Sequence, residues 1–391
     1  MKYAVLSDLH LGQKGADGSG SFSVLSQVPE HLPEKTFADR KMRVLHDRIA
    51  AFADGEPFTL ILCGDALDLS LSTMREALFD FTMMLRSLPP LQGVIYVVGN
   101  HDHHVWSMHS ENKRVVQPMM AGRLPVGGSI YEVTLPEGEA SPLFNGLLAA
   151  DRIPDGVKLA YPHCELRLQD GDGSMLLHLS HGHLTEGLYT LISRILAPQL
   201  KNAPPERAAA TVNVALIEVI YWLFGEMGER MGANGMMEAL YSDIQKGKES
   251  LFKQLMNEAV GVVLEKGAVS WIPDSWERAL VRWIGGKIVE DVVEKGKIDP
   301  ASYDRHKKAS ATREGFIKWL DRVGRLEPDA GRAAYVFGHT HVGDMFDVPG
   351  APIQVFNMGS WLVEPELPDP DSYVLLIDDG GPSVRFVWEK I

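Results

Sequence analysis

Thr59-Leu-Ile-Leu-Cys-Gly-Asp-Ala-Leu-Asp68 is the stretch on which the reading of the fold turns. Leu60 through Cys63 are apolar without a break. Gly64 then turns the chain, and two aspartates follow three residues apart. A short apolar run closed by Gly-Asp is the pattern of a strand covered on both faces and ending in a loop. The pattern recurs at residues 3–6, 94–98, 175–179, 334–337, 353–356 and 373–377. Helical periodicity separates the first three runs. One helix is predicted over 36–52, with Phe37, Met42, Leu45 and Ile49 on its buried side. A second follows Ser72 or Thr73, either of which can cap it, and stops at Leu88 before Pro89 and Pro90. Strand and helix in alternation predict an α/β layered architecture.

Composition narrows the function classes. The chain has 391 residues, of which 45% are hydrophobic and 23% charged. These are globular values, and they argue against wholesale disorder or coiled coil. Lys and Arg number 38 against 52 Asp and Glu, a formal charge of −14. That acidity argues against nucleic-acid binding as the main task. The two cysteines, Cys63 and Cys164, are too few for a disulfide scaffold or a Cys-based zinc site. Met1-Lys-Tyr-Ala-Val-Leu-Ser-Asp8 meets a charge too early for a signal peptide, and the apolar stretch 214–224 is broken by Glu218. The expectation is a soluble, cytoplasmic protein.

Beyond residue 105 the pattern changes. Residues 130–135 alternate in polarity. Residues 165–168, the turn Asp170-Gly-Asp-Gly173 and residues 175–179 read as a hairpin, so the sheet becomes mixed or antiparallel there. The Gly/Ser-rich stretch 13–26 reads as a loop. From 185 to 330 helical periodicity dominates, in pieces at about 206–231, 236–266, 274–296 and 312–323. This segment holds 20 Lys/Arg and 21 Asp/Glu, so the acidity lies in the rest of the chain.

Chemistry gathers where the apolar runs end. Asp8-Leu-His10, Gly64-Asp65-Ala-Leu-Asp68, Gly99-Asn100-His101-Asp102, His181-Gly-His183 and Gly338-His339-Thr-His341 each follow a predicted strand. Ligands of α/β sheets bind outside the carboxyl ends of strands, and adjacent strands would bring these ends together. Asp8, His10, Asp65, Asn100, His181, His339 and His341 are oxygen and nitrogen donors with no thiolate. They suit Mn²⁺, Fe or Zn²⁺, with Co²⁺ and Mg²⁺ also in range. Seven such donors exceed the needs of one ion and fit two divalent metal ions sharing a carboxylate.

This ordered set of five motifs resembles the calcineurin-like metallophosphoesterase superfamily over about 1–184 and 331–391. The resemblance implies a four-layer αββα sandwich, interrupted here by a large helical insertion at 185–330. It implies that Asp8, His10 and His341 hold one ion, that Asn100, His181 and His339 hold the other, and that Asp65 bridges them. It places His101 over the phosphate as proton donor to the leaving oxygen. Asp102 is expected to orient or charge His101, and Asp68 to support the ligands. The implied reaction is in-line attack by metal-bound hydroxide on a phosphoester or pyrophosphate, making the chain a hydrolase of phosphatase or phosphodiesterase type.

Several residues carry a plainer reading. His183 stands beside the position given to His181. His103, His104 and His109 read as rim or solvated residues, and His178 as a hydrogen-bonded structural histidine. Asp170 and Asp172 are turn formers. In Asn357-Met-Gly-Ser-Trp361, Ser360 and Trp361 either line the substrate pocket or form a tight turn around a packed Trp.

The insertion leaves after His181 and returns before His339, which makes it a candidate lid or cap. Trp276, Leu280, Trp283, Ile284, Ile288 and Val292 share one helical face. That face packs on neighbouring helices, supports a dimer, or docks on lipid at a membrane surface. A helical insertion here together with Gly-Ser-Trp resembles the UDP-2,3-diacylglucosamine hydrolase branch, which carries Arg where this chain has His101. That resemblance implies a lipid-linked nucleotide pyrophosphate as the alternative substrate. The rival from another class is a non-catalytic scaffold of the same fold.

Overall fold

The computed structural model describes residues 1–13, 22–26, 34–70, 72–125, 137–148, 153–171, 173–186, 189–190, 193, 205–218, 221, 305–363 and 369–391. The expected strand at 130–135, Asp172, the helical pieces 236–266 and 274–296, and residues 219–220 and 222–231 lie outside the described residues.

Among the described residues the strands are β1 (Lys2–Leu6), β2 (Phe22–Ser23), β3 (Phe58–Cys63), β4 (Leu91–Val97), β5 (Glu139–Ala140), β6 (Val157–Ala160) and β7 (His163–Asp170). They continue with β8 (Gly173–Ser180), β9 (Ala333–Phe337), β10 (Gly343–Asp347), β11 (Ile353–Met358), β12 (Leu362–Val363), β13 (Tyr373–Asp378) and β14 (Arg385–Lys390). The helices are α1 (Glu34–Ala53), α2 (Met74–Ser87), α3 (His103–Glu111), α4 (Gln117–Met120), α5 (Pro142–Leu147), α6 (Pro205–Ile217) and α7 (Arg305–Arg322), with a π-helical turn Asn112–Val116.

Two mixed sheets result. The first has the order β14-β13-β1-β3-β4-β6-β5, and the second β10-β11-β9-β8-β7. In the first, β1, β3, β4 and β6 run parallel. In the second, β8, β9 and β11 run parallel. The apolar runs form these strands because both faces are buried: all six residues of β3 are. The hairpin forms as expected, with Asp170 paired to Gly173.

One apolar cluster joins the sheets. Val5, Ile61 and Val97 of the first pack with Cys164, Leu177 and Val336 of the second. On the other face of the second sheet, Phe316, Trp319 and Leu320 of α7 cover Tyr335 and Phe337, with Phe316 stacked on Phe337 at 4.3 Å. Losing a ring such as Phe316 costs about 3–5 kcal/mol. On the first sheet, Phe81 of α2 and Phe144 of α5 lie 6.0 and 5.5 Å from Tyr96. Helix α2 starts at Thr73, whose hydroxyl accepts the Glu76 N–H, and buries Ala77, Phe81, Met84 and Leu85 at helical spacing.

The chain divides into two compact units, Met1–His183 with Asp304–Ile391 and Leu184–Tyr303. Within the second, Asn213 on α6 donates to Tyr189 O and Ser193 Oγ. No helix among the described residues is long and apolar enough to cross a membrane.

Candidate metal centre

The five motifs meet, but not along one sheet. Asp8, His10, Asp65 and Asn100 follow β1, β3 and β4 of the first sheet. His181, His339 and His341 follow β8 and β9 of the second. Adjacency within a single sheet is therefore replaced by convergence across two. Asp8 is the tie: its carboxylate accepts the His339 N–H at 2.8 and 3.0 Å and the Ser7 hydroxyl at 2.6 Å. The loops of the first sheet are laced by His10 N–H to Asp65 O at 2.8 Å and Leu69 N–H to His101 O at 3.2 Å.

The loops are held in a conformation that side chains resist. Asp8, His10, Asp65, His339 and His341 have φ of 53°, 47°, 48°, 69° and 59°. Among the described residues Asp54 alone joins them as a non-glycine in that region. Such residues cost about 1–3 kcal/mol each and cluster where a site imposes its own geometry. The glycines of the motifs make room. A Cβ on Gly338 would sit 1.8 Å from Asp8 Oδ2, and one on Gly99 would sit 2.1 Å from Asp65 Oδ1.

The side chains form two groups around one carboxylate. Asp8, His10 and His341 make the first, and Asp65, His181 and His339 the second; His10, Asp65 and His101 form a third, overlapping group between them. Asp65 Oδ2 is 3.1 Å from His181 Nε2 and 4.0 Å from His10 Nε2, between the two groups. Asn100 Oδ1, 3.0 Å from His181 Nε2, adds a fourth donor to the second group. All seven expected ligands are therefore brought together.

The imidazoles face inward in a defined way. His10 Nδ1 donates to Asp68 Oδ2 at 2.9 Å, and His181 Nδ1 donates to Cys63 O at 3.1 Å. A carboxylate and a carbonyl can only accept, so each neutral ring carries its proton on Nδ1 and turns the Nε2 lone pair inward. His181 Nε2, fully buried, then confronts two oxygens, and His10 Nε2 lies 3.3 Å from His341 Nε2. Groups opposed at these distances need positive charge between them, either a proton on Nε2 or a bound cation that takes its place. Two metal–nitrogen bonds of about 2.1 Å span 3.3 Å at a near-tetrahedral angle. The donor set thus fits borderline divalent ions. The electrostatics carry the same demand. Against burial, Asp65 and Asp8 hold the His181 imidazolium up to about 9. Against burial, His181, His101 and His10 keep Asp65 well below the usual carboxylate range.

His101 lies at the edge, its side chain 22% exposed. Its backbone N–H donates to Asp65 Oδ1 at 2.9 Å. Its Nδ1 is 2.8 Å from Ser70 Oγ and 3.2 Å from Asp68 Oδ2. Burial lowers its affinity for a proton, but Asp68 and Asp65 more than reverse this, to a pKa of about 9.

The carboxylate beside His101 is therefore Asp68, not Asp102 as the sequence reading expected. Asp102 is fully buried and accepts from Gly99 N at 2.6 Å, Ala66 N at 2.8 Å and the Tyr96 hydroxyl at 2.5 Å. It binds the β3 loop to the β4 loop. Asp68 meanwhile serves His10 and His101 together, a double contact that sequence spacing does not reveal. Ser70 was also missed. So was Asn357, whose Nδ2 donates to Thr340 Oγ1 at 2.7 Å, between the two histidines of the last motif.

The remaining expected residues sort by packing. His103 and His109 are buried rather than solvated: His103 packs edge-on against Tyr161 at 4.8 Å, and His109 stacks on Trp106 at 5.4 Å. His183 is buried beside His181, with ring centroids 5.4 Å apart. Ser360 and Trp361 are fully buried, which makes their segment a packed turn.

No family model matches the chain. No curated protein matches it either. Among solved structures the chain is similar to the phosphopantetheinyl hydrolase (PptH) from Mycobacterium tuberculosis, at 12% identity over 95% of this chain and 97% of that one, with a TM-score of 0.27. A likeness at that score carries no weight for function.

Proposed function

We propose that the protein is a metal-dependent phosphohydrolase of the calcineurin-like metallophosphoesterase type, with the αββα layering of that superfamily. Asp8, His10 and His341 would hold one divalent ion, Asn100, His181 and His339 a second, and Asp65 both. The observation that supports this best is the inward Nε2 of His181, anchored through Nδ1 and opposed by Asp65 and Asn100 oxygens in a dry site.

When bound, divalent ions held by these residues would supply Lewis-acid charge to a phosphoryl group and lower the pKa of water. The chain's own residues do the rest. Asp65 and Asp8 fix the donor geometry before substrate arrives, so little reorganisation is left for the reaction. His101 is held by Asp68 and Ser70 through Nδ1, which leaves Nε2 to pass a proton to the leaving oxygen. Phosphomonoesters, diesters and pyrophosphates all present such an oxygen.

The test is hydrolysis of p-nitrophenyl phosphate and bis-p-nitrophenyl phosphate with Mn²⁺, Zn²⁺, Mg²⁺ or chelator, alongside metal content. Turnover should require metal. Asp65→Asn should lose both turnover and bound ions. His101→Ala should keep its ions and lose about 10²–10⁴-fold in rate. A wild-type protein that binds no ion and turns over neither ester would overturn the reading in favour of a scaffold.

A further inference from the structure

We propose that the β7–β8 hairpin carries a separate metal site, in which His163, Glu165 and His178 hold one borderline divalent ion of the Zn²⁺ class. Nothing in the candidate centre needs these residues. Glu165 and His178 are directly paired across the two strands, and His163 lies two residues before Glu165. Side chains two apart on a strand share a face, so all three project from the same side of the sheet. This is the face that carries Leu176 and Tyr335 beneath α7, away from the cluster that joins the sheets.

The spacing accommodates a shared ion. His178 Nδ1 makes a long hydrogen bond of 3.4 Å to Glu165 Oε1, and His163 Nε2 stands 3.7 Å from the same oxygen. Donors bonded at about 2.1 Å to one tetrahedral ion stand about 3.4 Å apart. The candidate donors in this cluster all lie within 4.8 Å of one another. The His163 and His178 rings face each other at 4.7 Å.

The surroundings suit an ion. The side chains of His163 and His178 are 9% and 1% exposed, which gives a dry pocket, while Glu165 at 21% leaves an approach from solvent. Tyr335 packs on His178 at 4.8 Å and Trp319 at 6.5 Å, closing the inner side. The His178 hydrogen bond, and after it Arg325 with Nη2 2.8 Å from Glu165 Oε1, keep the carboxylate ionised against burial, the form that ligates. The positive charge of Arg325 also opposes a second cation, so this ion should leave before those of the candidate centre. Two imidazoles and a carboxylate favour Zn²⁺, Co²⁺ or Ni²⁺ over Ca²⁺ or Mg²⁺.

The experiment compares metal content of the chelator-stripped full chain after dialysis against Zn²⁺. Wild type should exceed His163→Ala/His178→Ala by one Zn²⁺ per chain, with equal Mn²⁺-supported phosphoester hydrolysis in the two proteins. Glu165→Gln, which keeps the side-chain shape, should show the same loss of one ion and decides the matter where the double variant does not fold. In an Asp65→Asn/His181→Ala background, one Co²⁺ should still bind and give the visible absorption of a four-coordinate nitrogen–oxygen site. Equal zinc in wild type and Glu165→Gln, or no Co²⁺ absorption in that background, would overturn the proposal and leave a purely hydrogen-bonded network. Because the readout is the ion lost from the hairpin, it stands apart from whether the candidate centre hydrolyses phosphoesters.

Discussion

Gly338→Ala should cripple the candidate centre through one added carbon. Its Cβ would sit 1.8 Å from Asp8 Oδ2 and 2.1 Å from Ser7 Oγ. Real Cβ contacts stay beyond 3.0 Å, so the carboxylate would have to retreat by about 1.2 Å. That carboxylate accepts the His339 N–H and the Ser7 hydroxyl, and it cannot move so far and keep both. Hydrogen bonds to a buried charge contribute about 1.5–3 kcal/mol each, so losing both costs about 3–6 kcal/mol. Gly350→Ala is the control. Gly350 has φ +78° with nothing within 4 Å, so alanine there meets only backbone strain, about 1–2 kcal/mol. Urea unfolding of the two variants in chelator measures the difference without any contribution from ions. Metal content after reloading measures the site. Equal unfolding costs, or a Gly338→Ala protein with full metal content, would refute the claim that this glycine exists to admit Asp8.

Three further outcomes are expected. Asn357→Ala removes the clamp on Thr340 and should weaken metal binding about tenfold, the scale of a lost supporting contact, in a competition titration with a chromophoric chelator. Asp102→Asn leaves the Gly99 and Ala66 amides and the Tyr96 hydroxyl competing for one carbonyl oxygen; it should lower unfolding free energy by about 2–4 kcal/mol, read as a shift in denaturation midpoint at unchanged slope. Cys63 and Cys164 are fully buried, and burial pushes the Cys164 thiol up to about 12; neither should react with a thiol reagent at pH 8 until the chain is unfolded, when both should.

Strand positions were legible because burial on both faces leaves an unmistakable mark: a run such as 60–63 has no polar residue on either side. The ligand set was legible for a related reason, since each motif begins where such a run stops. Sheet membership was not. An apolar run records that a strand is buried, not which neighbours it pairs with, so β1 and β8 looked like members of one sheet. The partner of His101 was illegible too. Asp102 is its neighbour in sequence, yet the loop turns that carboxylate toward the Gly99 and Ala66 amides and leaves Asp68 facing the ring. His103 and His109 misled through residue type: polar rings were read as solvated, whereas Tyr161 and Trp106 enclose them. Trp276 and the face it shares lie outside the described residues.

The division of the donors between two sheets also sets a timetable. Asp8, His10, Asp65 and Asn100 come early in the chain, whereas His339 and His341 come after residue 338. At about 5–20 residues per second, the 241 residues from Asn100 to His341 take roughly 12–48 s to synthesise. Until its end a nascent chain offers an incomplete set of donors, five of the seven once His181 has been made. Loading must therefore wait for the second sheet to close on the first. Under the proposed function, an ion would meet a finished cage rather than a loose peptide, and its choice would fall to the shape of that cage rather than to raw ligand affinity.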